Sequence, residues 1–325
     1  MNIGLTYDLR TEYLAAGFSE EETAEFDRES TIEAIESALQ TLGHKTERIG
    51  HLRNLVKALA GGKRWDLVFN ICEGMYGLGR EAQVPAVLEG FNIPCTFADS
   101  VVLALSLHKA FCKRIVRDLG VPTADFAVVT SESEVSAIEL PYPLFAKPIG
   151  EGTGKGIDSS SRITNPEALR KTCARLLRTY GQPVLVETFL PGREFTVGIV
   201  GTGHHAKVVG VVEVVLRKDA EADAYSYVNK EKCEELVLYN RVDDDAAKQC
   251  AVLALKAWRG LECRDGGRLD FRLDAAGVAN FLEANPLAGM NPEHSDLPII
   301  CSRVGMPYLE LIRSIVISAS MRITK

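Results

Sequence analysis

Apolar and polar positions along the first hundred residues alternate in a way that specifies strands and helices in turn. Residues 2 to 7 (NIGLTY) read as a strand. Residues 28 to 43 carry Ile32, Ile35, Leu39 and Leu42 on one helical stripe, with Ser30 and Glu33 at capping-box spacing and Gly43 as the stop. A charged strand at 45 to 49, a helix at 51 to 60, a buried strand DLVFNIC at 66 to 72, a helix at 81 to 90 and a short strand near 94 to 98 follow. Such alternation predicts a largely parallel sheet covered by helices.

The pattern then changes twice. Helical segments near 99 to 119 and 166 to 179 flank the strands FAVV and PLFAKP, with the glycine-rich EGTGKG between them, as a small α+β unit would. From about 184 the chain turns β-rich: VLVETFL, EFTVGIVG and AKVVGVVEVV precede a polar stretch, 217 to 235. A helix at 243 to 259, a hairpin at 268 to 284 and a closing helix near 306 to 319 complete it. The chain therefore divides into an α/β unit (1–97), a central α+β unit (98–186) and a C-terminal α+β unit (187–325).

Within the hairpin, GRLDFRLDAAGVANFLEAN, a register that pairs positions summing to 553 sets Arg268 against Asn285 and Asp270 against Glu283. Cross-strand partners share a face, so two carboxylates, an amide and a guanidinium converge there. That set suits magnesium, which takes few protein carboxylates beside phosphates and waters; it equally describes a solvated face with an Arg268–Asp270 ion pair. The loop EGTGKG can curl its N–H groups around phosphate oxygens, but it follows neither the P-loop nor the dinucleotide order. Lys109, Lys147 and Lys155 could supply positive charge to a triphosphate, or lie on the surface.

Composition narrows the function classes. In 325 residues, 37 Lys and Arg against 44 Asp and Glu give a net charge of −7, which argues against an extended nucleic-acid or anionic-membrane surface. No long apolar run predicts a membrane span, and Asp8 in the start MNIGLTYDLR is unlike a signal peptide, so the chain reads as cytoplasmic. Eight scattered cysteines without a CxxC pair predict buried thiols, and Trp65 and Trp258 read as packing residues. His204 and His205 read as surface positions in a strand, and no Ser-His-Asp or Cys-His arrangement stands out.

Several segments, taken in order, match a known family. GREAQVPAVLEGFNIPCT, ALSLHKA, LFAKPIGEGTGKGI, VLVETFLPGREFTVGIVG, GRLDFRLD and FLEANPLAGMNPEHSD, spanning roughly 79 to 297, make the chain resemble the ATP-grasp ligases related to D-alanine:D-alanine ligase. The resemblance implies a three-domain α/β ATP-grasp fold, cofactors ATP and two magnesium ions, and a homodimer acting on small carboxylate and amine substrates. By the same resemblance Lys109 and Lys147 hold phosphates, Glu187 and Leu190 lie at the adenine, Glu194 takes the ribose, and Lys230 closes over the phosphates from a lid at 217–235. Asp270, Glu283 and Asn285 would bind the metals, Arg268 and the Gly289 backbone would steady the tetrahedral intermediate, and Ser295 would hold the acceptor carboxylate.

Departures from the family lie at the amino-acid positions. Asp27 could replace a glutamate that binds the first amino acid, Thr153 stands for the loop serine, and Glu231 replaces the tyrosine after the lid lysine. NICEGMYGLGRE lacks the family's His-Gly, and Asp296 follows Ser295 where an apolar residue is common. Asp296 needs a cation, either a protein side chain such as Arg303 or a substrate group. The expected function is ATP-dependent amide or peptide bond formation through an acyl phosphate, on D-alanine or on another amino acid or metabolite. The competing reading is a catalytically silent nucleotide-binding regulator, which should have lost a metal ligand or a phosphate lysine.

Overall fold

The computed structural model describes residues 1–217, 219, 229 and 233–323. Three sheets form in chain order. The first is parallel and three-stranded, β2 (Lys45–Gly50), β1 (Asn2–Thr6), β3 (Leu67–Asn70), with β1 in the centre. Its fully buried β3 is the continuous apolar run expected of a strand covered on both faces. The expected strand at 94–98 reduces to one bridge between Val68 and Cys95, because Phe97 adopts a φ of +67° and turns the chain off the ladder. The helix Glu29–Thr41 has Arg28 at its N-cap with no side-chain cap, so Ser30 and Glu33 do not form the expected capping box.

The second sheet has the order β4 (Phe126–Val129), β7 (Val184–Thr188), β5 (Leu144–Pro148), β6 (Arg162–Ile163), and packs on the helix Pro166–Tyr180 around Leu144, Ile163, Leu169 and Leu176. Since β7 carries both residues 186 and 187, the central sheet runs past the expected boundary, and sheet membership changes between Thr188 and Glu194. The helices Ser100–Leu107 and Lys109–Asp118 send Val102, Leu103, Cys112 and Val116 into the large core shared with the first and third sheets, not into the small central core.

The third sheet is antiparallel, β10 (Val237–Arg241), β9 (Lys207–Leu216), β8 (Glu194–Val200), β11 (Gly266–Leu273), β12 (Ala279–Asn285). Helices Asp245–Gly260, Asp296–Arg303 and Tyr308–Ser320 cover it; the middle one is absent from the sequence reading. Trp65 and Trp258 are buried as expected. His204 and His205 sit in a short turn, exposed, and not in a strand. The seven described cysteines are free thiols, six of them buried. Among the described residues no helix is long and apolar enough to cross a membrane.

Candidate active site

The hairpin register predicted at the functional face holds: Arg268 pairs with Asn285 and Asp270 with Glu283, and a bulge immediately after Asp270 shifts the rest, so Phe271 faces Phe281. A bulge there bends the hairpin just past the carboxylates, and the ladder resumes from Phe271 with Phe281. Asn285 Nδ2 lies 3.5 Å from Asp270 Oδ2 and 3.4 Å from Glu283 Oε1. The amide's orientation is set by its neighbours, and turned over it offers an oxygen to a cation held by the same two carboxylates. Two carboxylates and one amide oxygen are a set that fits magnesium, with the remaining positions left for phosphate and water. The ion pair of the alternative reading is also present, since Arg268 Nη1 contacts Asp270 Oδ2.

One wall of the first cavity comes from the central sheet and the other from the hairpin. Lys109, Lys147, Glu187, Leu190, Glu194, Asp270, Glu283 and Thr153 all line it. Lys109, at the start of its helix, reaches the Glu151 carbonyl at 2.5 Å and lies 3.5 Å from Glu283. Lys155 is buried, paired with Glu151 at 2.5 Å, and is not a surface lysine. Burial draws the Lys109 ammonium below its usual range, partly offset by Glu283.

Glu187 is the most tightly held group. Lys113 and Lys147 each place an ammonium 2.9 Å from one of its oxygens. Burial alone would raise its carboxyl, but the two lysines outweigh that and hold it at about 2. Lys113 also donates to the Thr123 hydroxyl and the Phe281 carbonyl, at 2.8 and 3.1 Å, which fixes it from the hairpin side. Sequence reasoning missed Lys113; its only signal was its place four residues after Lys109, on the same helical face.

A second cavity, with about 1060 Å³ of open space, shares Thr153 with the first and is lined by Asp27, Arg268, Asn285, Gly289, Ser295 and Asp296. Ser295 accepts from the Asn291 N–H at 3.0 Å. A Cβ at Gly289 would lie 2.7 Å from Ser295 Oγ, so the backbone there can approach a ligand only as glycine. Asp296 meets Arg268 at 3.0 Å and the Tyr239 hydroxyl at 3.0 Å. Its cation is therefore Arg268 and not Arg303. Thr153 holds a φ of +47°, and its hydroxyl is buried without a partner.

The segment 18–28 closes over the loop EGTGKG. Glu25 accepts from the Gly152 N–H at 2.7 Å, takes both oxygens to Arg80 Nη2 at 2.8 and 3.0 Å, and lies 3.5 Å from Lys155. Glu25 is thus an acidic residue of this segment that touches the loop, and the sequence reading did not single it out. The fourteen described candidates line one or other of the adjoining cavities. Lys230 and Glu231 lie outside the described residues, as does much of the expected lid at 217–235.

A family model described as "D-ala D-ala ligase C-terminus" matches residues 115–317. The chain is 33% identical to the D-alanine–D-alanine ligase of Bordetella petrii over 275 residues, 83% of this chain and 80% of that protein. It is 32% identical to that of Aquifex aeolicus over 287 residues, 88% and 93%. The crystal structure of the D-alanine–D-alanine ligase from Bacillus anthracis complexed with ATP superposes with a TM-score of 0.74 at 19% identity, covering 99% of this chain and 98% of that one. The fold is accordingly the α/β ATP-grasp fold.

Proposed function

The chain belongs to the D-alanine–D-alanine ligase family and is an ATP-dependent carboxylate–amine ligase, and from that premise we propose how its residues divide the reaction. The observation that carries the assignment is the convergence of Asp270, Glu283 and Asn285 on one face, between the lysine-lined cavity and the serine-lined one.

Making an amide from a free carboxylate requires a better leaving group than oxide, which ATP supplies by phosphorylation. Magnesium, two ions in this reading, would be held by Asp270, Glu283 and Asn285 and would supply charge neutralisation to the transferring phosphoryl group. Lys109 and Lys147 approach the same oxygens and lower the cost of the charge gathered there. Glu187 and Leu190 are read as the adenine contacts and Glu194 as the ribose contact; Lys230 is read as a phosphate lysine. Arg268 and the Gly289 N–H face the carbonyl oxygen that becomes anionic when the amine attacks. Ser295 receives the acceptor carboxylate, Thr153 turns its unpartnered hydroxyl to the first substrate, and Asp27 and Asp296 shape the pocket around them. Units 1–97, 98–186 and 187–325 remain the domain reading, with sheet membership drawing the last boundary after Thr188. A cytoplasmic homodimer belongs to the same reading and is checked by sedimentation.

Asp270→Ala and Glu283→Ala test the assignment: each should abolish ADP release from paired amino acids while Tm stays within a few degrees of wild type. Arg268 keeps Asp296 when Asp270 is removed and Lys109 keeps the Glu151 carbonyl when Glu283 is removed, so neither cation is stranded and the apo fold loses little with either. A variant that unfolds early yet retains full specific activity when folded overturns the metal role.

A further inference from the structure

The second cavity holds more carboxylate than its own cations neutralise. Five acidic side chains line it: Glu25, Asp27, Glu73, Glu81 and Asp296. Glu25 is matched by Arg80 and Lys155, and Asp296 by Arg268. Of the other cations on the wall, Arg10 reaches Glu20 at 2.7 Å and Arg28 points to an exposed rim. Among the described residues no hydrogen bond or close ion pair is made by the carboxylate of Glu73 or of Glu81; the Arg80 charge acts on both from farther away, and that of Lys109 on Glu81, without bringing either back to its usual range.

These groups are built into the wall. Glu73 precedes Gly74, whose N–H donates to Asp8 at 2.9 Å, and Asp8 in turn accepts from the Tyr13 hydroxyl at 2.5 Å. Gly74 has a φ of +73°, and a Cβ on it would lie 2.7 Å from the Arg80 carbonyl, so only glycine fits the turn beside Glu73. Burial, with the charges of Glu81 and Glu25, pushes the Glu73 carboxyl well above its usual range; burial likewise raises Glu81 to about 7. A freely solvated acidic face would show neither effect.

Among the described residues no three His, Cys, Asp or Glu side chains of this wall gather as the ligands of one ion would. Carboxylates spread along a cavity wall suit an organic cation whose N–H groups are themselves spread, as in an ammonium or a guanidinium on a side chain. The Thr153 hydroxyl on the same wall, read above as facing the first substrate, is buried and unpartnered, and a buried polar atom is normally satisfied, so polar groups of that substrate belong beside it.

Resting on the ligase reading of this cavity, we infer that one of the two joined substrates is an amino acid with a basic side chain, its second cationic nitrogen received by Glu73 and Glu81. The side chain brings a positive charge into direct reach of both carboxylates, and a neutral amino acid such as alanine leaves them partly buried with no cation in contact. Discrimination thus comes from a penalty on the neutral substrate as much as from a contact to the basic one.

The test pairs ADP release with equilibrium binding. Lysine, ornithine and arginine of both hands, with alanine, serine and glutamate as comparisons, are offered in pairs to the wild-type protein with ATP and magnesium. Each amino acid is also titrated calorimetrically with the non-hydrolysable analogue AMP-PNP. Basic amino acids should exceed alanine in kcat/KM, and Glu73→Gln and Glu81→Gln should each reduce that ratio by roughly thirty-fold or more, mostly through KM. Turnover of alanine pairs with no binding of any basic amino acid overturns the inference and leaves the ligase reading standing. Binding of a basic amino acid that Glu73→Gln weakens, with no ADP release from any pair, supports the inference and removes the ligase reading. Basic amino acids bound equally well by wild type and both variants place the cation elsewhere and overturn the role of these residues.

Discussion

Lys113 is wholly buried, and its charge is retained only because Glu187, Thr123 and the Phe281 carbonyl surround it. Lys113→Met should leave Glu187 with Lys147 alone, raise the KM for ATP about tenfold, and cost about 3 kcal/mol, the usual range for breaking a buried pair. Nucleotide titration and urea unfolding check the two effects, and Lys113→Arg should recover part of the first. A second prediction concerns pH. Asp27 and Glu81 are both raised to about 7 by burial, and by Asp8 and Glu25 respectively against opposing groups. The folded state then binds protons that the unfolded chain releases above about 4, so their contribution falls as pH rises from about 4 to about 7. Glu25 and Glu187, held at about 2, act oppositely and lose their contribution as pH drops through 4.5 towards 2. The ligand-free protein should show Tm falling between pH 5 and 7, and Glu81→Gln should flatten that slope. At this scale the sequence was legible wherever a motif fixed a role, as at Lys109 or Asp270. It was silent at Lys113 and Glu25, whose partners lie 168 and 55 positions away along the chain.

Strand pairing in the hairpin was readable because side chains alternate with period two, and one register alone brings the polar residues to a common face. The bulge after Asp270 was not, since a single extra residue leaves the alternation on either side intact. Nor was the helix Asp296–Arg303, whose Pro298 reads as a breaker; in a first turn it is tolerated, because the N–H it lacks has no helical partner. Gly267 shows how narrowly the hairpin fits. A Cβ there would lie 2.5 Å from the Asn285 carbonyl and 2.8 Å from the Trp258 ring, both fixed. Gly267→Ala should push β12 from β11 beside the Arg268–Asn285 pair, costing about 1–3 kcal/mol of overpacking and lowering kcat more than it raises the KM for ATP. Thermal unfolding and initial rates measure these together, and a variant with normal kcat would show the metal face tolerates the shift.

Across the molecule, three distant stretches meet at Asp265, which is fully buried at a φ of +64°. It accepts from the Phe97 N–H at 2.8 Å, from Arg322 at 2.6 and 2.8 Å and from the Thr202 hydroxyl at 3.3 Å, so the end of the first unit, the turn after β8 and the residues just past the last helix share one carboxylate. Arg322→Ala should lower Tm by several degrees with the KM for ATP unchanged, because the pair lies outside both cavities. The order of units was legible from the switch between alternation patterns, but the sharing of a core between them was not, since the helices at 100–118 carry no signal naming the sheet they cover. The clasp of Glu25 on the Gly152 N–H joins the segment 18–28 to the loop beside both cavities. That amide should exchange its hydrogen with deuterium only when the clasp parts, so its exchange rate becomes a clock for how often the doorway between nucleotide and amino acid stands open. Glu25→Gln, which keeps an acceptor but gives up the charge that Arg80 and Lys155 hold, should make the clock run faster.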